Sequence, residues 1–278
     1  MIEYPLAVDA VMTRAIEAGS GPCEVLLLHG AGSRADRWRR NIDELAERGC
    51  RVVALDFPGH GFADKGPSID CSVPAYARFT RSALDVLGME RPVIVGTSLG
   101  GHVAAMVALN EPSLCAGLVL VGTTGMFPHG EERRYRTAGR LRDTSAASIT
   151  EKLHNLVNNA ALITDQWIDE EHMVNNSPGA AHCLDALASY FEDRLDDDCI
   201  GAELADLVPT LPTLLVWGIQ DAMVSIDVGR AASELLREAQ LIEIDNAGHA
   251  PYFEQPRLFN TAVVDFITTL NQLETPRR

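Results

Sequence analysis

The sequence predicts an α/β fold built on a doubly wound, mostly parallel sheet, and three observations support this. Short, fully apolar runs that suit buried parallel strands alternate with longer stretches of helical periodicity. One of these runs ends in a Gly-x-Ser-x-Gly turn that leads directly into a helix-forming segment. The alternation breaks between about 126 and 208, and two further apolar runs follow. Sheets of this class carry their sites at the carboxyl ends of the strands.

The same patterns place the elements in chain order. Residues 2–18 alternate loosely around Asp9-Ala10, which predicts a short antiparallel hairpin. The apolar runs predict strands at 25–28, 51–55, 92–95, 118–121, 213–218 and 241–244. Helical periodicity predicts helices around 37–48, 73–88 and 102–110.

The stretch from about 126 to 208 differs from the rest of the chain. It contains polar helical stretches and no strand pattern, and residues 131–206 carry 16 acidic and 7 basic side chains. A helical insertion at this point would lie over the edge of the sheet that carries the site. We therefore expect a core made of 1–125 and 209–278, and a helical lid over 126–208 that excludes water and shapes a substrate pocket.

Charge and length narrow the classes of function. The chain has 278 residues and a formal net charge of −16. Nucleic acids and membrane surfaces are bound by basic patches, so neither is an expected partner. The start has no leader pattern and no apolar run reaches about 18 residues, so a cytoplasmic protein with reduced thiols is expected. A small-molecule substrate is the expected partner, and a homodimer is a candidate assembly.

The turn at 96–100 carries the first candidate for catalysis, Ser98. A strand, a Gly-x-Ser-x-Gly turn and a helix in succession are the pattern of a nucleophile elbow, which exposes the serine hydroxyl at the top of a sheet. The serine backbone is strained there, so Gly96 and Gly100 let the neighbouring backbone come close. The N-terminus of the helix also directs free N–H groups at negative charge that forms nearby.

Two partners for Ser98 follow the last two predicted strands. Asp221 comes after the first of these strands, and His249 lies in the Gly-containing loop after the second. An imidazole can take the proton of a serine hydroxyl, and a carboxylate fixes the tautomer of that imidazole. Asp227 and Asp245 stay open as alternatives to Asp221.

The backbone N–H groups of Leu99 and Ala31 are the expected donors to an oxyanion. Leu99 directly follows the nucleophile, and Ala31 lies in a loop of small residues after the strand at 25–28. The residues at the same edge of the sheet that we expect to contact substrate are His29, Gly30, Thr97 and Trp217. This chemistry requires no metal and no cofactor.

Two other classes of function stay open. Gly30-Ala31-Gly32-Ser33-Arg34-Ala35 follows a strand and precedes Asp56, which fits a loose dinucleotide-binding pattern and an NAD-dependent oxidoreductase. Two observations argue against this class. The arginine-rich segment around Trp38 contains no apolar helix directly after the glycines, and the ordered set of serine, aspartate and histidine would have to be a coincidence. A non-catalytic receptor with the same pocket is the second alternative. Labelling of Ser98 by a fluorophosphonate would separate the receptor from an enzyme.

The whole chain resembles the α/β-hydrolase superfamily, in which the nucleophile, acid and histidine follow one another in this order. The motifs that carry the resemblance are His29-Gly30-Ala31-Gly32, Asp56-Phe57-Pro58-Gly59-His60-Gly61, Gly96-Thr97-Ser98-Leu99-Gly100-Gly101, Trp217-Gly218-Ile219-Gln220-Asp221 and Gly248-His249. Within the superfamily the chain is similar to the meta-cleavage product hydrolases, which split a C–C bond in ring-opened aromatic compounds, and to related carboxylesterases. Arg40-Asn41-Ile42 and Leu162-Ile163-Thr164 carry this closer resemblance.

Departures from that family bear on the substrate. Thr97 stands before the nucleophile, where the family typically has asparagine. Glu171 falls at or near the place of a lid arginine that grips the substrate carboxylate, so we expect an anionic dienoate to be repelled. The loop after His29 is shorter, which removes another substrate-binding asparagine. Pro251-Tyr252-Phe253 replaces a tryptophan that usually follows the histidine.

The predicted function is that of a cofactor-free serine hydrolase of small carboxylic esters or lactones. Ser98 attacks the carbonyl to form an acyl-enzyme, His249 serves as base and then as acid, and Asp221 orients the imidazole. Because an acidic lid would disfavour anions, C–C hydrolysis of a meta-cleavage product of the 2-hydroxy-6-oxo-dienoate type is the alternative.

Overall fold

The computed structural model describes residues 1–274, and its centre is one eight-stranded sheet. The strands are β1 (Ile2–Val8), β2 (Val11–Ala18), β3 (Cys23–Leu28), β4 (Cys50–Leu55), β5 (Val93–Thr97), β6 (Gly117–Val121), β7 (Thr213–Gly218) and β8 (Gln240–Ile244). Their order is β1-β2-β4-β3-β5-β6-β7-β8. The β1–β2 hairpin is antiparallel and pairs antiparallel with β4, and all later pairings are parallel. The predicted doubly wound, mostly parallel sheet is confirmed.

Helices connect the strands and cover both faces of the sheet. Outside the long insertion they are α1 (Ile42–Glu47), α2 (Val73–Leu87), α3 (Leu99–Asn110), α9 (Ile226–Leu235), α10 (Pro251–Glu254) and α11 (Pro256–Glu274). Among residues 1–274, three short 3₁₀ helices cover Ala35–Trp38, Pro112–Leu114 and Ala160–Leu162. The helix expected around 37–48 is therefore divided into a 3₁₀ turn and the shorter α1. Of the predicted core segment 209–278, the last four residues lie outside the described part of the chain.

Most of the core consists of two apolar layers, one on each face of the sheet, and a small third cluster surrounds Trp217. Side chains alternate between the layers along every buried strand, as β3 illustrates: Leu26 and Leu28 join the layer under α2 and α3, whereas Val25 and Leu27 join the layer under α1 and α11. All four of these side chains are fully buried. A strand covered on both faces reads as a continuous apolar run, which explains why the parallel strands could be predicted.

Between β6 and β7 the chain forms five α-helices and the 3₁₀ helix Ala160–Leu162, which together we call the helical insertion. The α-helices are α4 (Glu131–Arg142), α5 (Ala146–Leu156), α6 (Asp165–Asn175), α7 (Ala180–Asp193) and α8 (Gly201–Leu207). α4 packs on α7, and α5 packs on α6, whereas α8 packs on α3 and α9 beside the sheet. By these contacts α8 belongs with the helices that cover the core, although it falls within the segment expected to form the lid. Within residues 1–274, no helix combines the length and the apolar character needed to cross a bilayer.

Candidate active site

Ser98 lies at a strained turn between β5 and α3. Its φ of 53° and ψ of −117° place a non-glycine residue at positive φ. A Cβ atom on Gly96 would lie 2.2 Å from the carbonyl oxygen of Gly100, and one on Gly100 would lie 2.4 Å from that of Leu28. Neither position has room for a side chain, so the turn can form only with glycine on both sides of the serine.

Asp221 and His249 meet at the same edge of the sheet, beyond β7 and β8. The Oδ2 atom of Asp221 lies 2.7 Å from Nδ1 of His249, and both side chains are buried. The other carboxylate oxygen accepts two backbone N–H bonds of 2.8 Å, from Met223 and Val224. The carboxylate is therefore fixed in place, and it binds the imidazole through Nδ1, so that Nε2 is the ring nitrogen that could accept a proton.

The two alternative carboxylates do not reach the imidazole. Asp227 belongs to the first turn of α9 and bonds to Ser225. Asp245 is exposed and accepts a hydrogen bond from Gln220. Geometry thus places Asp221 beside His249 and leaves the other two aspartates at the surface.

The two residues whose N–H groups are expected to hold an oxyanion are the neighbour of Ser98 in the chain and a residue that lines the same cavity. Leu99 is the first residue of α3, so its N–H precedes the hydrogen-bond ladder of the helix. Ala31 lines the same cavity as Ser98, as does Gly30, where a Cβ atom would lie 3.3 Å from Cβ of Ser98. Within the part of the chain that the structure describes, neither the N–H of Ala31 nor that of Leu99 donates to another residue.

Ser98, Asp221 and His249 line one cavity of about 380 Å³ between the sheet edge and the helical insertion. This volume suits a ligand of moderate size. Thr97, Gly30 and Glu171, three of the residues expected to contact substrate, also line it. Among residues 1–274, no group of three or more His, Cys, Asp or Glu side chains is arranged to hold a metal ion.

The other two residues expected to contact substrate, His29 and Trp217, lie outside the cavity lining, and these predictions are wrong. His29 is fully buried between loops, where Nε2 accepts from the N–H of Phe57 at 2.9 Å and Nδ1 lies 2.8 Å from the carbonyl oxygen of Gly30. Trp217 is also fully buried, and its Nε1 donates to the carbonyl oxygen of Val224. Both side chains fix loops of the site and cannot contact the substrate directly.

The electrostatic character of the cavity is the opposite of what the acidic insertion suggests. Five cationic side chains and two carboxylates line it: Arg37, Arg133, Arg136, Arg140 and Lys152 against Glu171 and Asp221. Three of the arginines lie on one face of α4, at spacings of three and four residues. The acidic residues of the insertion mostly face solvent, so their number does not determine the charge of the cavity.

Arg37 and Glu171 line a buried part of the cavity wall, which we call its closed end. The guanidinium of Arg37 bonds to Oε1 of Glu171 and stacks on Trp167, with 4.4 Å between Cζ and the ring centroid. Arg34 bonds to the same carboxylate oxygen, and all three charged side chains are about 3% exposed. Glu171 is therefore neutralised by two arginines, and it does not present the free negative charge that its position in the sequence suggested.

Lys152 and the arginines of α4 complete the cationic lining. Lys152 donates to the carbonyl oxygen of Gly32 at 2.6 Å, and burial lowers the pKa of its ammonium group. The side chains of Arg136 and Arg140 are 56% and 43% exposed, so the cavity opens to solvent beside them. Sequence reasoning missed these cations, although the helical spacing of 133, 136 and 140 was a signal that they share one face.

Comparison with known proteins agrees with this geometry. The family model for the alpha/beta hydrolase fold matches residues 25–256. A 2-hydroxy-6-oxononadienedioate/2-hydroxy-6-oxononatrienedioate hydrolase of Cupriavidus pinatubonensis is 30% identical over 261 residues, which cover 90% of this chain and 89% of that protein.

Solved structures of hydrolases are also similar to this chain. The meta-cleavage product hydrolase CumD of Pseudomonas fluorescens is 26% identical, with a TM-score of 0.84 over 96% of this chain and 97% of its own. A thermophilic esterase of Thermogutta terrifontis is 25% identical, with a TM-score of 0.78 over 97% of this chain and 99% of its own. The similarity to meta-cleavage product hydrolases noted from sequence motifs is confirmed. The chain belongs to the α/β-hydrolase fold family, and it is a hydrolytic enzyme.

Proposed function

We propose that this enzyme hydrolyses a C–C bond in an anionic, ring-opened product of aromatic degradation, of the 2-hydroxy-6-oxo-dienoate type. The observation that carries the proposal is the surplus of cations in a cavity that also holds Ser98 and His249. The relatives named for such substrates support it over the ester hydrolysis expected from sequence. We take the cytoplasm as its compartment, as expected from the sequence.

The closed end of the cavity suits the carboxylate of this substrate. Arg37 lines the cavity and shares the carboxylate of Glu171 with Arg34, which also pairs with Asp36 and Glu170. The surplus of positive charge on the cavity wall therefore comes from Lys152 and the arginines of α4. A buried cation that lacks a full counter-charge is costly, and an incoming carboxylate compensates it with charge-assisted hydrogen bonds. The substrate carboxylate would thus be held by Lys152 together with the N–H donors of Arg37 on the 3₁₀ turn at Ala35–Trp38, in place of a lid arginine.

The steps of the reaction follow from the residues that would surround the ketone of the substrate. Ser98 attacks the ketone carbon as His249 takes its proton, and the N–H groups of Ala31 and Leu99 stabilise the oxyanion. Before this attack the substrate must shift the proton of its 2-hydroxyl group to C5, which gives a 2-oxo enone whose C5 carbon is no longer vinylic. When the tetrahedral intermediate then collapses, the C5–C6 bond breaks and its electron pair passes through the enone to the 2-oxo oxygen, as a dienolate. His249 returns the proton to that carbon fragment, and a water molecule activated by the same imidazole then hydrolyses the acyl-enzyme.

We further propose that the helical insertion acts as a lid. Its helices α4, α5 and α6 supply Arg133, Lys152 and Glu171 to the cavity, opposite the sheet edge that carries the nucleophile. A roof of this kind excludes water until the acyl-enzyme has formed, and it strengthens the charge interactions beneath it.

Parallel assays of two substrates test the reaction class. Wild-type enzyme is expected to turn over a 2-hydroxy-6-oxo-dienoate faster than a neutral p-nitrophenyl ester, and Ser98→Ala is expected to abolish both activities.

A variant of Arg37 tests the binding of the substrate carboxylate. Arg37→Gln leaves Glu171 paired with Arg34, so the fold should persist. In this variant KM for the dienoate is expected to rise roughly tenfold or more, with little change for the ester. Turnover of the ester alone would contradict the proposal and would favour the ester hydrolysis expected from the sequence.

A further inference from the structure

Glu254 is a half-buried carboxylate that joins two separate segments of the chain. It ends α10, five residues after His249, and its side chain lies outside the active-site cavity. Its Oε2 accepts the N–H of Gly248 at 2.5 Å. Its Oε1 accepts the N–H groups of Asn158 and Asn159 at 2.8 and 3.0 Å. One side chain thus satisfies three backbone donors.

The first of these segments carries the base, and the second belongs to the helical insertion. Gly248 directly precedes His249, whereas Asn158 follows α5, the helix that supplies Lys152 and Leu156 to the cavity wall. The two segments also touch, because a Cβ atom on Gly248 would lie 2.8 Å from the nitrogen of Asn158. Neither segment can shift toward the other, and the carboxylate keeps them from separating.

A carboxylate is well suited to this position, and an amide is not. Burial is the main influence on the pKa of Glu254 and raises it, whereas the three N–H bonds oppose that rise. A glutamine would retain the length of the side chain but would turn its NH₂ group toward one set of backbone donors. That set would then be left without an acceptor.

We propose that Glu254 is a positioning residue that fixes the His249 loop to residues 156–159, so that the base and the roof of the cavity are placed together. The proposal rests on the proposed role of His249 as the base that activates Ser98. Displacement of the loop by a fraction of an ångström would spoil proton transfer, which needs hydrogen-bond distance. Substrate binding depends on other side chains and should change little.

Two rates measured on Glu254→Gln test this proposal. One is kcat with the dienoate, and the other is the rate at which a fluorophosphonate inactivates the enzyme, which needs the base but not the natural substrate. Both are expected to fall by about tenfold or more, with KM within about twofold of wild type. The matched control is Gln255→Ala, which removes a bond from Nε2 to the carbonyl oxygen of Asn246 in the same loop but no bond to the insertion. Its rates should stay within about twofold of wild type.

The outcomes separate this proposal from a purely structural role and from an error in the proposed function. A folded Glu254→Gln with wild-type rates and only a lowered melting temperature overturns the positioning role. If the wild-type enzyme itself resists the fluorophosphonate, the proposed nucleophile and base are wrong instead.

Hydrogen exchange in the wild-type protein gives a test that needs no variant. The backbone amides of Gly248, Asn158 and Asn159 should exchange at similar rates, because all three donate to Glu254. Exchange of Asn158 and Asn159 more than about a hundredfold faster than that of Gly248 would contradict the linkage.

Discussion

The carboxylate of Glu171 bonds inside the cavity to the guanidinium of Arg37, which lies 134 positions earlier in the chain. Arg34 bonds to the same oxygen from the other side. The insertion is therefore attached to the core segment 34–38 by a buried ion cluster in which Glu171 lies between two arginines. Removing that anion would leave the guanidinium of Arg37 buried without a paired carboxylate, whereas Arg34 would keep Asp36 and Glu170.

Glu171→Gln is accordingly expected to lower the free energy of unfolding by about 3 kcal/mol, measured by denaturant titration. The matched control is Glu170→Gln. Glu170 also bonds to Arg34, at 3.1 Å, but its side chain is 32% exposed. An ion pair at the surface contributes little, so this control should cost less than about 1 kcal/mol. Equal losses in the two variants would contradict the special role of the buried carboxylate.

Asp221→Asn is expected to lower kcat by about 10³- to 10⁴-fold while the protein stays folded. An amide at this position can donate to Nδ1 of His249, which stabilises the tautomer that cannot accept the serine proton at Nε2. Steady-state kinetics with either substrate measures the loss. Asp227→Asn on α9 is the control, because that side chain bonds only near the start of its own helix. If only Asp227→Asn lost activity, Asp227 and not Asp221 would be the carboxylate that acts on His249.

Stability is expected to fall as the pH is lowered below about 6.5. Burial lowers the pKa of His60 to about 3, so the folded protein excludes a proton that the unfolded chain binds near pH 6.5. The unfolded state therefore gains protons first, and the free energy of unfolding drops by about 1.4 kcal/mol per pH unit for each such histidine. His60→Gln should reduce that slope by about one proton between pH 6 and 4. The same substitution at the exposed His182 serves as the control, and an unchanged slope in His60→Gln would refute the assignment.

Two glycine substitutions are expected to have opposite effects on stability. In Gly100→Ala the new Cβ would meet backbone oxygens at 2.4 and 2.5 Å, so the elbow must distort, at a cost of about 1–3 kcal/mol or more and with loss of activity. Gly139 lies within α4, where a Cβ atom would meet nothing within 4 Å. Gly139→Ala should therefore stabilise the protein by about 0.5–1 kcal/mol. Thermal unfolding measures both, and destabilisation by Gly139→Ala would contradict this account.

The positions of Ser98, Asp221 and His249 could be predicted because each follows the end of a parallel strand. The carboxyl ends of such strands meet at one edge, so sequence order and strand pattern are enough to bring the three residues together. His29 and Trp217 lie at the same edge, yet their side chains turn into the protein. Position along a strand does not determine where a side chain at the strand end points, and for these two residues a backbone partner in another loop determines it.

The charge of the cavity could not be predicted from the composition of the insertion. Its acidic side chains outnumber the basic ones, but four of the seven basic residues face inward at the cavity, including Arg133 and Lys152. The neutralisation of Glu171 likewise depends on arginines more than 130 positions away. Contacts of that range follow from tertiary packing, which local pattern does not reveal.

The ion cluster at the closed end of the cavity also determines how the insertion can move. Opening on the side of α6 would pull Glu171 away from two buried guanidinium groups, at a cost of several kcal/mol. On the side of α4, the exposed Arg136 and Arg140 pair with acids of the insertion itself and would travel with it, whereas Arg133 donates a hydrogen bond of 2.7 Å to the carbonyl oxygen of Met223 in the core. If the insertion moves as the proposed lid, we therefore expect the α6 side to act as the pivot and the substrate to pass the arginines of α4.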